Sequence, residues 1–248
     1  MDTVYVTLYN EDGTVYDEKT VEGMRRVFTD GKTPSVTALY LRSTGRVRWV
    51  TWRHALRARV FLGEYAAKAN TLDAALAEAA YMTGLEKNGD VVEMACYAPL
   101  FSHSKLSQWT PDLIFYSNDG IFGSANYYVQ QLYGNNAGKY SLPSELTGAA
   151  DLTLYESASD AEGDVILKIV NVSDEDIPVD VILEGRDIGC FLQEAEVTVL
   201  TGTDKKAKNA FGKMVVVPQE SKMGIDQTFD YTAPANSLTV IHLLGLKD

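Results

Sequence analysis

A single carboxylate, Glu64, closes the apolar run Val60-Phe61-Leu62-Gly63, and Tyr65 follows at once. An acid delivered at the end of a buried parallel strand is how an α/β barrel places a nucleophile or a proton carrier on its catalytic rim. The ordinary alternative is a solvated or ion-paired Glu at a strand end, and composition alone favours it. Other reactive residue types are sparse. The three histidines (54, 103 and 242) and the two cysteines (96 and 190) show no ligand spacing, so no metal and no cofactor is expected. Cys96 falls in a run expected to be a buried strand, and Cys190 follows a glycine. Packing is the expected role of both, because a buried thiol without a neighbouring base is inert. His103 lies in a polar loop and reads as solvated rather than as an acid/base.

The elements that must position Glu64 can be read from periodicity. Apolar residues at 72, 75, 76, 79 and 82 predict a helix over 71–85, with Asn70 or Thr71 as cap, Asp73 in the first turn and Gly84 at the end. Strand, Glu, loop and helix together make one βα unit. A second strand is expected at 90–97, and Pro99 then opens a loop over 101–111. Ser102, His103, Ser104, Gln108 and Trp109 give that loop aromatic and hydrogen-bonding character. Trp109 reads either as a core aromatic or as a surface on which a sugar ring stacks. A strand at 113–116 and a helix over 124–133 follow. From Leu142 onward the period changes to two. Short strands are expected at 152–155, 165–170, 179–183, 196–200, 214–217 and 238–244, separated by turn clusters.

The N-terminal quarter differs. A hairpin is expected over residues 1–23, turning at Asn10-Glu11-Asp12-Gly13. Beyond Asp30 no acidic residue occurs before Glu64, while Arg42, Arg46, Arg48, Arg53, Arg57 and Arg59 crowd around Trp49 and Trp52. A basic aromatic surface, a basic linker and a stretch foreign to the rest of the chain, from truncation or a frame shift, all fit that pattern. The net charge of −12 argues against nucleic acid as a partner, which needs a basic face to neutralise phosphates. No apolar run approaches the ~20 residues that span a bilayer, and no signal peptide is expected, since Met1-Asp2-Thr3-Val4-Tyr5 lacks a basic region and an apolar core. A soluble protein of undetermined compartment is expected.

Several motifs in one order resemble the C-terminal part of α-L-arabinofuranosidases of glycoside hydrolase family 51. They are Gly63-Glu64-Tyr65-Ala66, the helix from Ala74 to Glu86, the run Asp90 to Phe101, Gln108-Trp109-Thr110-Pro111-Asp112-Leu113-Ile114 and Asn126-Tyr127-Tyr128-Val129-Gln130, and more loosely Ala233 to Val240. The resemblance implies an α+β chain in two parts, a C-terminal remnant of a (β/α)8 TIM barrel over 59–140 and an antiparallel, jelly-roll-like β-sandwich over 141–248. Residues 1–58 stay unmatched.

By the same resemblance Glu64 is the catalytic nucleophile, and Tyr65, Gln108 and Trp109 face the substrate, an arabinofuranosyl-containing oligo- or polysaccharide such as arabinan or arabinoxylan. A retaining glycosidase needs a second carboxylate about 5 Å away. The family's acid/base is a Glu following Asn on an upstream barrel strand, and no matching pair occurs here, since Asn10-Glu11 sits in the hairpin turn. The expectation is therefore a chain that is inactive alone, whose open barrel edges favour association with a chain carrying the missing half or with copies of itself. A non-catalytic carbohydrate-binding or interaction module built on the sandwich is the alternative.

Overall fold

The computed structural model describes residues 59–147, 153–184, 189, 191–202 and 204–246. The expected hairpin, the arginine-rich stretch as far as residue 58 and Cys190 lie outside the described residues. The chain divides into two compact units, one taking Met1–Tyr65 with Asn88–Cys96, the other Ala66–Lys87 with Tyr97–Asp248.

In the first unit β1 (Val60–Tyr65) and β2 (Val92–Tyr97) form a two-stranded sheet. The Val60 amide donates to the Val91 carbonyl at 2.7 Å, and Arg59 pairs with Glu93 at 2.7 Å. Cys96 is half-buried rather than buried, because most of β2 is exposed.

The second unit begins with α1 (Leu72–Lys87), which continues past Gly84 to Lys87. Its buried Leu72, Ala75, Leu76 and Ala79 recur at helical spacing. The first amides of a helix lack partners inside it. Here the Leu72 and Asp73 amides donate to the Ala207 and Lys205 carbonyls at 2.9 and 3.0 Å. Then come β3 (Phe101–His103), β4 (Ile114–Ser117) and β5 (Gly120–Gly123), a small sheet in which β3 runs parallel to β4 and β5 antiparallel to it. Ser124 caps α2 (Ala125–Asn135) by accepting the Tyr127 amide.

The remaining strands are β6 (Tyr140–Leu142), β7 (Leu154–Ala161), β8 (Asp164–Asn171), β9 (Ile177–Ile182), β10 (Glu194–Thr201), β11 (Gln219–Gly224), β12 (Thr228–Ala233) and β13 (Ser237–Leu243). Six of them form an antiparallel sheet in the order β11-β10-β13-β8-β7-β6, and β9 pairs with β12 separately.

Alternation along each strand gives the large sheet two apolar faces. Ile166 and Val170 of β8, Leu200 of β10, and Leu238 and Val240 of β13 pack with α1 and α2 in one core. Ile169, Val197, Ile241 and Leu243 point the other way and pack with Val181 of β9 and Phe229 of β12 in a second core. The unit is thus mostly β-sheet, with two helices covering one face of the large sheet and a strand pair covering the other.

One expected strand is absent. The apolar run at 214–217 is not extended in a ladder, because the buried Asn209 side chain takes its backbone groups. Asn209 Oδ1 accepts the Val215 and Val216 amides, and its Nδ2 donates to the Val216 and Gly123 carbonyls. The strand forms further on, as β11. Among the described residues no closed barrel is present.

Candidate active site

Glu64 is the penultimate residue of β1, with an exposed side chain at the strand's C-terminal end. Tyr65 closes the strand and is half-buried. Successive side chains leave a strand on opposite faces, so Glu64 and Tyr65 are directed apart. Gly63 keeps the backbone beside Glu64 slim, where an added Cβ would touch the Phe61 ring at 3.4 Å.

Gln108 and Trp109 belong to the second unit, in the loop between β3 and β4. Both are exposed, and Trp109 is 72% exposed, so it is no core aromatic. The loop is folded by its own polar groups. Ser107 Oγ donates to the Trp109 carbonyl at 2.5 Å or to Asp112 Oδ2 at 2.9 Å, and accepts the Trp109 amide at 3.3 Å. His103, the residue set aside as a solvated polar side chain, stacks edge-on against Tyr116 with ring centroids 5.4 Å apart.

The sequence reading missed the polar residues behind this loop. Glu78 of α1 is 3% exposed, and its Oε1 accepts the Ala67 amide at 2.7 Å and Asn126 Nδ2 at 2.8 Å. Burial pushes its carboxyl up to about 7, against the opposing hydrogen bonds from Ala67, Asn126 and Gln130. Asn126, with no exposed surface, accepts in turn from Asn70 Nδ2 at 3.0 Å. Asn70 donates to the Asp112 carbonyl at 2.7 Å and accepts the Asp112 amide at 3.1 Å. One signal for Glu78 was present in the sequence. It stands three residues after Ala75 and four before Met82, inside the apolar stripe, where an acid has no reason to be unless something holds it.

Against known families, residues 49–237 match the α-L-arabinofuranosidase C-terminal domain. The chain belongs to that family. The match starts ahead of residue 59, so part of the arginine-rich stretch falls within it. The chain is 36% identical over 188 residues to α-L-arabinofuranosidase A of Aspergillus kawachii, covering 73% of this chain and 29% of that protein. It is 32% identical over 197 residues to α-L-arabinofuranosidase 1 of Arabidopsis thaliana, covering 75% and 29%. Among solved structures, an arabinose-bound family GH51 α-L-arabinofuranosidase superposes with a TM-score of 0.65 at 34% identity, over 73% of this chain and 28% of that one. The α-L-arabinofuranosidase of Thermotoga maritima shares the fold at a TM-score of 0.61 and 21% identity. The chain spans between 28% and 39% of the length of these relatives.

Proposed function

We propose that this chain is the C-terminal part of a retaining α-L-arabinofuranosidase in which Glu64 is the nucleophile. The observation that carries the proposal is the placement of Glu64, an exposed carboxylate at the C-terminal end of a strand inside the family-matched segment. On this reading β1, α1, β2 and the parallel β3–β4 pair are the last βα units of a TIM barrel. In the first step a Glu64 carboxylate oxygen bonds to the anomeric carbon of an arabinofuranosyl unit while the glycosidic carbon–oxygen bond breaks. A proton donor must meet the departing oxygen, and water later releases the sugar and regenerates Glu64. Glu64 is this chain's share of the catalytic pair, and the exposed loop carrying Gln108 and Trp109 is its candidate sugar-binding surface. The acid/base role falls to no residue identified in these 248 residues, so removal of terminal arabinofuranosyl units from arabinan or arabinoxylan calls for the upstream part of the barrel as well.

The test is hydrolysis of an aryl α-L-arabinofuranoside by the chain alone and with an added upstream half. Turnover is expected only in the mixture, and only with Glu64 intact. Turnover by the mixture that survives Glu64→Gln would overturn the nucleophile assignment.

A second reading is favoured by the exposure of Trp109, which suits a non-catalytic arabinan-binding surface. Binding of arabinan that is lost in Trp109→Ala, with no turnover in any mixture, would select it.

A further inference from the structure

We propose that Glu78 is a positioning residue, whose carboxylate fixes Ala67 and, through Asn126 and Asn70, the Asp112 end of the loop carrying Gln108 and Trp109. The inference rests on the proposed function only in giving that loop to the sugar.

The hydrogen bonds form a continuous chain. Two donors converge on one oxygen of Glu78, the Ala67 amide at 2.7 Å and Asn126 Nδ2 at 2.8 Å. Asn126 passes the connection to Asn70 at 3.0 Å, and Asn70 holds both backbone groups of Asp112. From there Ser107 links the Asp112 carboxylate to the backbone of Trp109. Glu78, Asn126 and Asp112 are 3%, 0% and 2% exposed, so water does not compete freely for these bonds. The relay joins three segments distant in sequence, around 67–70, 107–112 and 126. The first two are loops, and Asn126 stands in the first turn of α2. Ala67 lies three residues after Glu64 along the chain. One side chain of α1 therefore holds Ala67 and, at the far end of the relay, the loop with the exposed aromatic.

Geometry and charge can be separated. Gln in place of Glu78 keeps an acceptor oxygen at the same reach, whereas Asp withdraws it by one methylene. Asn126→Ala cuts the relay beyond Glu78 and leaves the Ala67 contact in place.

The experiment is amide hydrogen exchange by NMR on the full chain, joined to calorimetric titration with α-1,5-linked L-arabinotriose. Glu78→Asp should accelerate exchange at both the Ala67 and Asp112 amides by about tenfold, the loss expected when one hydrogen bond to a charged or buried group is broken. Glu78→Gln should restore both. Asn126→Ala should accelerate Asp112 and spare Ala67. A purely structural loss would speed the interior amides of α1 equally, and an Asp112 amide unmoved in both Glu78→Asp and Asn126→Ala would overturn the relay. If the parent chain binds the trisaccharide, Glu78→Asp should weaken binding and Glu78→Gln should not. Equal affinities there would overturn the positioning role. If the exchange pattern holds and neither parent nor variant binds the sugar, the relay stands and the assignment of the loop to arabinose fails.

Discussion

Lys168 of β8, with no exposed side-chain surface, meets Glu86 of α1 at 2.7 Å across the interface between the large sheet and the helices. The same ammonium donates to the Asn136 carbonyl at 2.7 Å and lies 5.0 Å from the centre of the Tyr133 ring, while Glu86 also accepts from Ser157 at 2.6 Å. Burial lowers the Lys168 pKa, and Glu86 opposes that shift. A buried cation with every donor direction answered is tolerable; one without its carboxylate is not.

Glu86→Ala should accordingly destabilise the chain by about 3–5 kcal/mol, the cost of an uncompensated buried charge. Lys168→Met should cost less, since Glu86 keeps access to water and Met fills most of the vacated volume. The double variant Glu86→Leu/Lys168→Met should recover much of the loss. Urea unfolding of the three variants checks the order.

Glu78 should make stability depend on pH. Its carboxyl titrates at about 7 in the folded chain against an ordinary 4.5, so within that window the folded state holds more protons than the unfolded one. Stability should then fall as pH rises from 4.5 to 7, by about 3 kcal/mol at about 1.4 kcal/mol per pH unit. Glu78→Gln should flatten the slope. An unchanged profile in that variant would show the slope to come from other groups.

Gly134 sits in the last turns of α2, and an added methyl group there would meet nothing within 4 Å. Gly134→Ala should raise stability by about 0.5–1 kcal/mol through helix propensity. Gly123→Ala should do the opposite, because its Cβ would fall 2.4 Å from the Tyr127 ring. Thermal melts of the pair test both.

Trp109→Ala should leave stability within about 0.5 kcal/mol, as expected for a side chain with few packing neighbours, while abolishing any arabinan binding. A large drop in melting temperature would show that the loop packs in a way its exposure does not reveal.

The cores argue against residues 142–248 folding alone. Leu72, Leu76 and Val129 of the helices are buried against Ile166, Leu200 and Val240 of the sheet. Expressed alone, the segment should expose that face and aggregate or bind a hydrophobic dye; a cooperative, dye-silent unfolding would refute the prediction.

Much of this was legible in sequence because periodicity records which face is dry. The 3.6 spacing through Leu72, Ala75, Leu76 and Ala79 located α1, and short apolar runs between turn clusters located β8 and β13, which are buried on both faces. It failed where side chains replace backbone partners. The run at 214–217 looks like a strand until Asn209, several residues away, takes its amides. Strand β12, Thr-Phe-Asp-Tyr-Thr-Ala, was overlooked because its outward residues include Asp230, which faces Asp180 across the ladder. The resemblance located Glu64 and the loop, but nothing local could show that Glu78, Asn126, Asn70 and Asp112 meet, since they come together only when α1, α2 and the loop are folded.

The order of the large sheet has a bearing on how the chain is made. Strands β8 and β10 are not bonded to each other; β13, which follows both in the sequence, lies between them. Until the ribosome has released residues through Leu243, the nascent chain holds two half-sheets with bare inner edges and an incomplete cover for both cores. At about 5–20 residues added per second, that interval is seconds long, and it is when edge pairing with other nascent chains is most available. A premature stop ahead of Ser237 would therefore leave the sheet permanently in this divided state.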